Sequence, residues 1–202
     1  MSKVIIEICG GIASGKTTFV SLFNQKKLTL LYEDFKKSPF WEAFYCNPGK
    51  HIFETEISFI LLHYHQIKLA LESNKNNLIC DFSFLLDLAY AKIGMTGSKL
   101  NAFECVLEEI KRELLTPEVI VYLDCDSQTE LNRIKRRGRT EESSINLDFL
   151  NFLNQALALE VEKIKSQVPI ITVNSSEKDF ANDEHIKKEM AKLIDDFLKM
   201  QK

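Results

Sequence analysis

Val4-Ile5-Ile6-Glu7-Ile8-Cys9-Gly10-Gly11-Ile12-Ala13-Ser14-Gly15-Lys16-Thr17-Thr18 is the stretch that decides the fold. Its first six residues are apolar but for Glu7 and mostly β-branched, and they end at a glycine pair, the pattern of a buried strand entering a turn. From Lys16 to Asn24 the apolar residues Phe19, Val20, Leu22 and Phe23 recur at helical spacing. Between strand and helix, Gly10 to Thr17 satisfies GxxxxGK[ST], in the context that gives this pattern its meaning. Glycines let the loop wrap a phosphate chain closely, while backbone N–H groups and the helix N-terminus supply positive potential. Gly10, Gly11, Ile12, Ala13, Ser14, Gly15, Lys16, Thr17 and Thr18 are therefore the expected cradle of a nucleoside triphosphate, ATP in the first instance. Lys16 would reach the β- and γ-phosphates, and the Thr17 hydroxyl would hold Mg²⁺.

Outward from this loop, strand-length apolar runs recur at Leu28–Tyr32, Leu78–Cys80, Val119–Leu123 and Ile170–Val173. Helical patterns lie between and after them, at about 51–72, 82–93, 99–114, 127–136, 147–166 and 181–200. This alternation predicts an α/β fold of the P-loop NTPase type: a doubly wound, five-stranded parallel sheet with helices on both faces. With 202 residues, 45% hydrophobic and 27% charged, the chain is read as a single domain over 1–202 with a substantial core. A net charge of −3 excludes a general nucleic-acid binder, whose footprint would be basic. Five scattered cysteines without a CxxC pair fit a reducing compartment and read as small core residues. The short apolar runs predict neither a signal peptide nor a membrane-spanning helix, hence a cytoplasmic protein.

The loop names a phosphoryl donor but not the acceptor. Arg133-Ile-Lys-Arg136-Arg137-Gly138-Arg139 gathers five cations in seven residues at the end of a predicted helix. In an acidic chain this fits an arginine lid that closes on transferring phosphates, hinged at Gly138 with the polar run Thr140–Ser144 as a mobile tip. The alternative is a solvated helix end whose cations offset the macrodipole. Glu33 and Asp81 follow the second and third predicted strands, where ligands collect in open α/β sheets. A carboxylate at Glu33 could take the proton of an attacking hydroxyl, and one at Asp81 could hold Mg²⁺. Either could instead cap a helix, Asp81 in particular.

The P-loop, Glu33, Asp81-Phe82-Ser83 and Arg133-(x)3-Arg137-Gly138-Arg139-Thr-Glu141-Glu142 together resemble the deoxynucleoside kinase family over residues 3 to 165. The resemblance implies transfer of a γ-phosphate to the 5′-hydroxyl of a deoxynucleoside with Mg²⁺, and a homodimer through the long helices. It implies that Glu33 is the general base and that Asp81 is the acid of the (D/E)RS motif. Arg133, Arg137 and Arg139 become the lid arginines, and Tyr45 with Glu142 the pair at the sugar 3′-hydroxyl. Three positions depart from or bear on the pattern. Phe82 stands where the family has the motif arginine, Glu56 where it has a base-reading glutamine, and His63 where it has an arginine. Asp87, the third member of that base-recognition set, is retained.

Glu56 and His63 are seven residues apart, on one helical face. An ionised Glu56 offers two acceptors to the adjacent N1–H and N2–H of guanine, which favours deoxyguanosine; a protonated one regains a donor and blurs that preference. A Glu56–His63 pair with no ligand role is the structural alternative. A nucleoside monophosphate kinase of thymidylate type, or a nucleotide-dependent regulator that lost activity with the arginine at 82, are the other functional readings. Phe82, Glu56 and Asp87 favour an uncharged acceptor over a monophosphate. His63 and His65, two apart, make a poor metal pair, and His51 and His185 read as surface residues. Phe40, Trp41 and Phe44 lead to Tyr45 and suit the wall of a nucleoside cleft.

Overall fold

The computed structural model describes residues 3–24, 28–73 and 76–200. Five strands, β1 (Ile5–Gly10), β2 (Leu28–Leu31), β3 (Asn77–Cys80), β4 (Val119–Asp124) and β5 (Ile170–Asn174), form one sheet in the order β2-β3-β1-β4-β5. Every pairing is parallel, with Ile6 against Ile79 on one side of β1 and against Val119 on the other. The expected doubly wound P-loop architecture is what the chain adopts.

β1 is buried at all six positions, because helices cover both faces of the sheet. Ile6 and Ile8 pack with Phe19 and Val20 of α1 (Lys16–Ser21) and with Met190, Ile194 and Phe197 of α8 (Glu184–Met200). The alternate residues face the other way. Ile5 joins the helices α3 (Pro48–Ser73), α4 (Phe84–Gly94) and α5 (Gly97–Glu113), and Cys9 joins α6 (Ser127–Arg137) and α7 (Leu147–Ile164). Glu7 shares that second face, so a carboxyl lies in the core beneath α4, where its Oε2 accepts from Ser83 Oγ at 2.7 Å. Ser83 is also the N-cap of α4, accepting from Leu85 N at 3.3 Å, so the capping role considered for Asp81 belongs to Ser83.

Several boundaries differ from expectation for local reasons. α1 stops at Ser21, where Leu22 and Phe23 turn back to the carbonyls of Phe19 and Val20. α8 starts at Glu184 because Asp183 accepts from the backbone of His185 and Ile186 at 2.8 and 3.2 Å, a cap that ends the preceding turns. An unexpected helix α2 (Trp41–Cys46) is held by aromatic edges, with Trp41 and Tyr45 centroids 5.4 Å apart and Phe44 and Tyr45 at 5.2 Å. Gly138, expected at the base of the lid, is the left-handed C-cap of α6 at φ 68°. The expected lid tip, Thr140–Ser144, is a 3₁₀ turn with Glu142 buried. Cys46 and Cys105 are exposed rather than in the core. No helix among the described residues is long and apolar enough to cross a membrane.

Candidate active site

The loop after β1 is built as a phosphate cradle. Gly15 sits at φ 105° at the N-cap of α1 and Ala13 at φ 59°, left-handed conformations that turn the chain into the helix. Lys16 Nζ donates to the carbonyl oxygens of Gly10 and Gly11, both at 2.8 Å, so its ammonium lies over the loop. Arg133 reaches across from α6 to the other side. Its guanidinium donates to the carbonyls of Ala13 and Ser14 at 3.3 and 3.2 Å and to Ser175 O at 2.7 Å. Arg133, expected as a lid cation, ties the loop to the turn after β5 and still lines the cleft. Phe180 from that turn closes on Gly15, where a Cβ would come within 2.9 Å of its ring.

Thr17 Oγ1 donates to Asp81 Oδ2 at 2.8 Å, and the other oxygen of Asp81 accepts from Glu33 N at 2.5 Å. Burial raises the Asp81 carboxyl above its ordinary range, opposed by those two hydrogen bonds. A hydroxyl and a carboxylate one hydrogen bond apart at the mouth of a phosphate loop are hard oxygen donors of the kind Mg²⁺ takes, with phosphate and water oxygens completing the shell. The donor set fits that ion.

Beside Asp81 lies a buried acidic group of residues organised by one histidine. His63 Nδ1 is 2.9 Å from Asp87 Oδ2 and its Nε2 is 3.3 Å from Glu33 Oε1. The second contact is at ion-pair distance but not in hydrogen-bonding alignment. The imidazole lies flat on Phe82, with centroids 4.0 Å apart and planes 3° from parallel. The two positions where the resemblance expects arginines are thus in contact, and they depart from it together. Burial pushes the His63 pKa down, but the charges of Asp87 and Glu33 outweigh it and carry it up to about 10. Burial likewise raises Glu33, yet the contact with His63 and the charges of His63, Lys16 and Arg139 bring its carboxyl below the usual range. Glu56, 3% exposed, is pushed well above it by burial and by the charges of Asp87 and Glu33. That direction favours the protonated form of Glu56 considered from the sequence, the one that regains a donor, over the acceptor-only carboxylate.

On the lid, both oxygens of Glu142 are taken by arginines. Arg137 donates to Oε2 through Nε at 3.1 Å and also through Nη2, and Arg139 donates to Oε1 at 3.1 Å. The Arg139 guanidinium also lies 4.4 Å above the ring of Phe35. Tyr45 stands near enough to Glu142 for that charge, after burial, to raise its phenol pKa.

These parts line one cavity of about 970 Å³. Lys16, Thr17, Glu33, Tyr45, Glu56, Asp81, Asp87, Arg133, Arg137, Arg139 and Glu142 all face it. His63, expected at the base, stands behind its wall. The 176–182 turn with Phe180 also lines the cavity and carries no sequence motif, while two further motif-less carboxyls, Glu7 beneath α4 and Glu130 on α6, are buried outside its lining. Glu130 is fully buried, accepts from Asn154 Nδ2 at 2.8 Å and lies against Gly11, with its pKa pushed up to about 8 chiefly by burial. Glu130 falls within the helix expected at 127–136, and the packing of α6 against α7 turns it inward.

A phosphate loop, a facing carboxylate and a deep cleft on a parallel sheet define a P-loop phosphotransferase. The family profile described as deoxynucleoside kinase matches residues 6–199, and the chain belongs to that family. It is 25% identical to a deoxyguanosine kinase of Bacillus subtilis over 87% of this chain and 88% of that one. It is 26% identical to a deoxyadenosine kinase of Dictyostelium discoideum over 85% and 72%. Among solved structures, deoxyadenosine kinase from M. mycoides with bound dCTP superposes with a TM-score of 0.79 at 22% identity, over 98% of this chain and all of that one.

Proposed function

We propose that this chain moves the γ-phosphoryl group of ATP to the 5′-hydroxyl of a deoxynucleoside, with deoxyguanosine preferred, in cytoplasmic nucleotide salvage. The observation that carries the proposal is the convergence of Lys16, Thr17 and Asp81 with Glu33, Glu56 and Asp87 on one cavity. Glu33 accepts the proton of the 5′-hydroxyl as its oxygen bonds to the γ-phosphorus; the bond to the β-phosphate oxygen breaks and ADP leaves. Lys16, Arg137 and Arg139 meet the charge that spreads over the transferred oxygens. Thr17 and Asp81 would hold Mg²⁺, which would supply charge neutralisation for the transferring phosphates. Tyr45 and Glu142 hold the 3′-hydroxyl.

Base choice follows from Glu56. A neutral carboxyl presents one donor and one acceptor, which suits adenine and guanine alike. Only guanine offers two adjacent donors, N1–H and N2–H, and these stabilise the ionised carboxyl. Deoxyguanosine binding then expels the Glu56 proton, so affinity for it rises with pH while that for deoxyadenosine does not. Two copies are expected to pair through the long helices, where Leu61 and Leu69 of α3 stand 47% and 49% exposed.

The test offers the purified protein Mg-ATP with each of four deoxynucleosides and, separately, their monophosphates. Product 5′-monophosphate from deoxyguanosine is expected, and absence of transfer to any nucleoside overturns the reading. Transfer with deoxyadenosine favoured, or a deoxyguanosine affinity flat between pH 6 and 8.5, removes the role given to Glu56.

A further inference from the structure

His63 is an unusual core residue. It is 2% exposed, yet each ring nitrogen faces a carboxylate oxygen: Asp87 of α4 at 2.9 Å and Glu33, after β2, at 3.3 Å. A neutral imidazole has one N–H and one lone pair, so one of these carboxylates would meet a lone pair. Both contacts are attractive only if both nitrogens carry protons. The ring cannot rotate away, because Phe82 stacks on one face at 4.0 Å and Phe84 closes an edge at 6.2 Å. Phe59 of α3 lies 5.9 Å off.

Position gives this arrangement a consequence. Glu33 and Asp87 both face the cavity, one at the proposed 5′-hydroxyl and one at the proposed base, whereas His63 does not reach it. Glu33 is a third exposed and sits on a segment outside β2, so little else fixes its carboxylate beyond its backbone bond to Asp81. We propose that His63 is a positioning residue, a doubly protonated imidazole braced by Phe82 that is hydrogen-bonded to Asp87, ion-paired to Glu33, and so sets the distance between the base-reading and proton-accepting ends of the cleft. This deepens the proposed function and rests on Glu33 being the proton acceptor. Asp87 and Glu33 raise the His63 pKa, and Glu56 and Glu7, whose pKa values its charge lowers, are the further acidic groups in its field; Lys111 acts on Glu7 from α5.

Two measurements test it on the full chain. With only four histidines, the ¹⁵N side-chain spectrum resolves His63 by loss of one signal in His63→Gln. At pH 7.5 both His63 nitrogens should show the protonated shift, and a ring with one unprotonated nitrogen overturns the proposal. In kinetics, His63→Gln should lower kcat about 10–100-fold through the displaced Glu33, the cost of a misplacement near an ångström. The KM for the deoxynucleoside should rise separately through Asp87. An unchanged kcat in a folded His63→Gln protein overturns the proposal. Glu33→Gln distinguishes the two levels: full activity there removes the base assignment, while the NMR result still decides whether His63 clamps both carboxylates.

Discussion

Replacing Glu7 by Gln should stabilise the protein at pH 8 and leave it nearly unchanged at pH 4. The carboxyl is 5% exposed, lies between β1 and the start of α4, and has one hydrogen bond in its favour, from Ser83 Oγ. Burial, which outweighs that bond and the charge of Lys111, raises its pKa from 4.5 to about 7. An acid with a raised folded-state pKa binds more protons folded than unfolded, so its contribution is intact below pH 4.5 and is lost as pH rises toward 7. The rise from 4.5 to about 7 corresponds to about 3 kcal/mol, nearly all of it expressed by pH 8. Glutamine keeps the shape and the acceptor for Ser83 without a titrating proton, so the wild-type minus variant difference isolates this group from Glu56 and Asp87. Urea unfolding of both proteins at pH 5, 6.5 and 8 reads it. The variant's advantage should grow across that series to about 3 kcal/mol. A difference that is constant with pH refutes the reasoning, because a packing effect does not titrate.

Gly10→Ala should cost about 1–3 kcal/mol of stability, read as a lowered urea midpoint, because the new Cβ would lie 2.8 Å from the backbone carbonyl of Leu123, which β4 cannot move. Arg137→Ala should lower kcat by about 100-fold with a smaller change in KM, since its guanidinium, now on Glu142, is a lid cation available to the charge of the transition state; initial rates at saturating substrate measure it. Raising pH through about 8 ionises Glu130 against the phosphate loop, so the KM for ATP should climb above that pH in wild type and stay flat in Glu130→Gln. The loss should appear on the alkaline side because a raised carboxyl is neutral below its pKa and charged above it.

The P-loop was legible because its chemistry is local. Every donor it needs lies within Gly10 to Thr18, and flanking strand and helix have periods that show in the residues themselves. The lid was half legible. Its cation density is a local fact, but Arg133 and Arg137 sit one helical turn apart on α6 and still take different partners, the loop carbonyls and Glu142. That division is set by what packs opposite each residue, namely the turn after β5 and the 3₁₀ turn, and neither is encoded near position 133. Glu7 and Glu130 were not legible for the same reason. A single carboxyl in an apolar strand or a charged helix has no spacing signature; only the tertiary contact makes it buried.

The His63–Phe82 pair shows what such contacts change. Read along the chain, Phe82 removes a cation next to the phosphates and His63 weakens one at the base, two separate losses in two separate motifs. In space the rings stack, and the charge that remains stands between Glu33 and Asp87 rather than beside a phosphate. The acidic residues then need no second cation among them: burial holds the Glu56 carboxyl well above its usual range, and Glu33 and Asp87 share one histidine between them. What faces the transferred phosphoryl group is left to Lys16 and the lid, so the cost of losing an arginine at 82 should fall on the lid arginines. Restoring Arg at 82 alone should therefore not raise activity, because it would place a second cation on His63 and expel the imidazole from its carboxylates. Only a change at both positions exchanges one arrangement for the other.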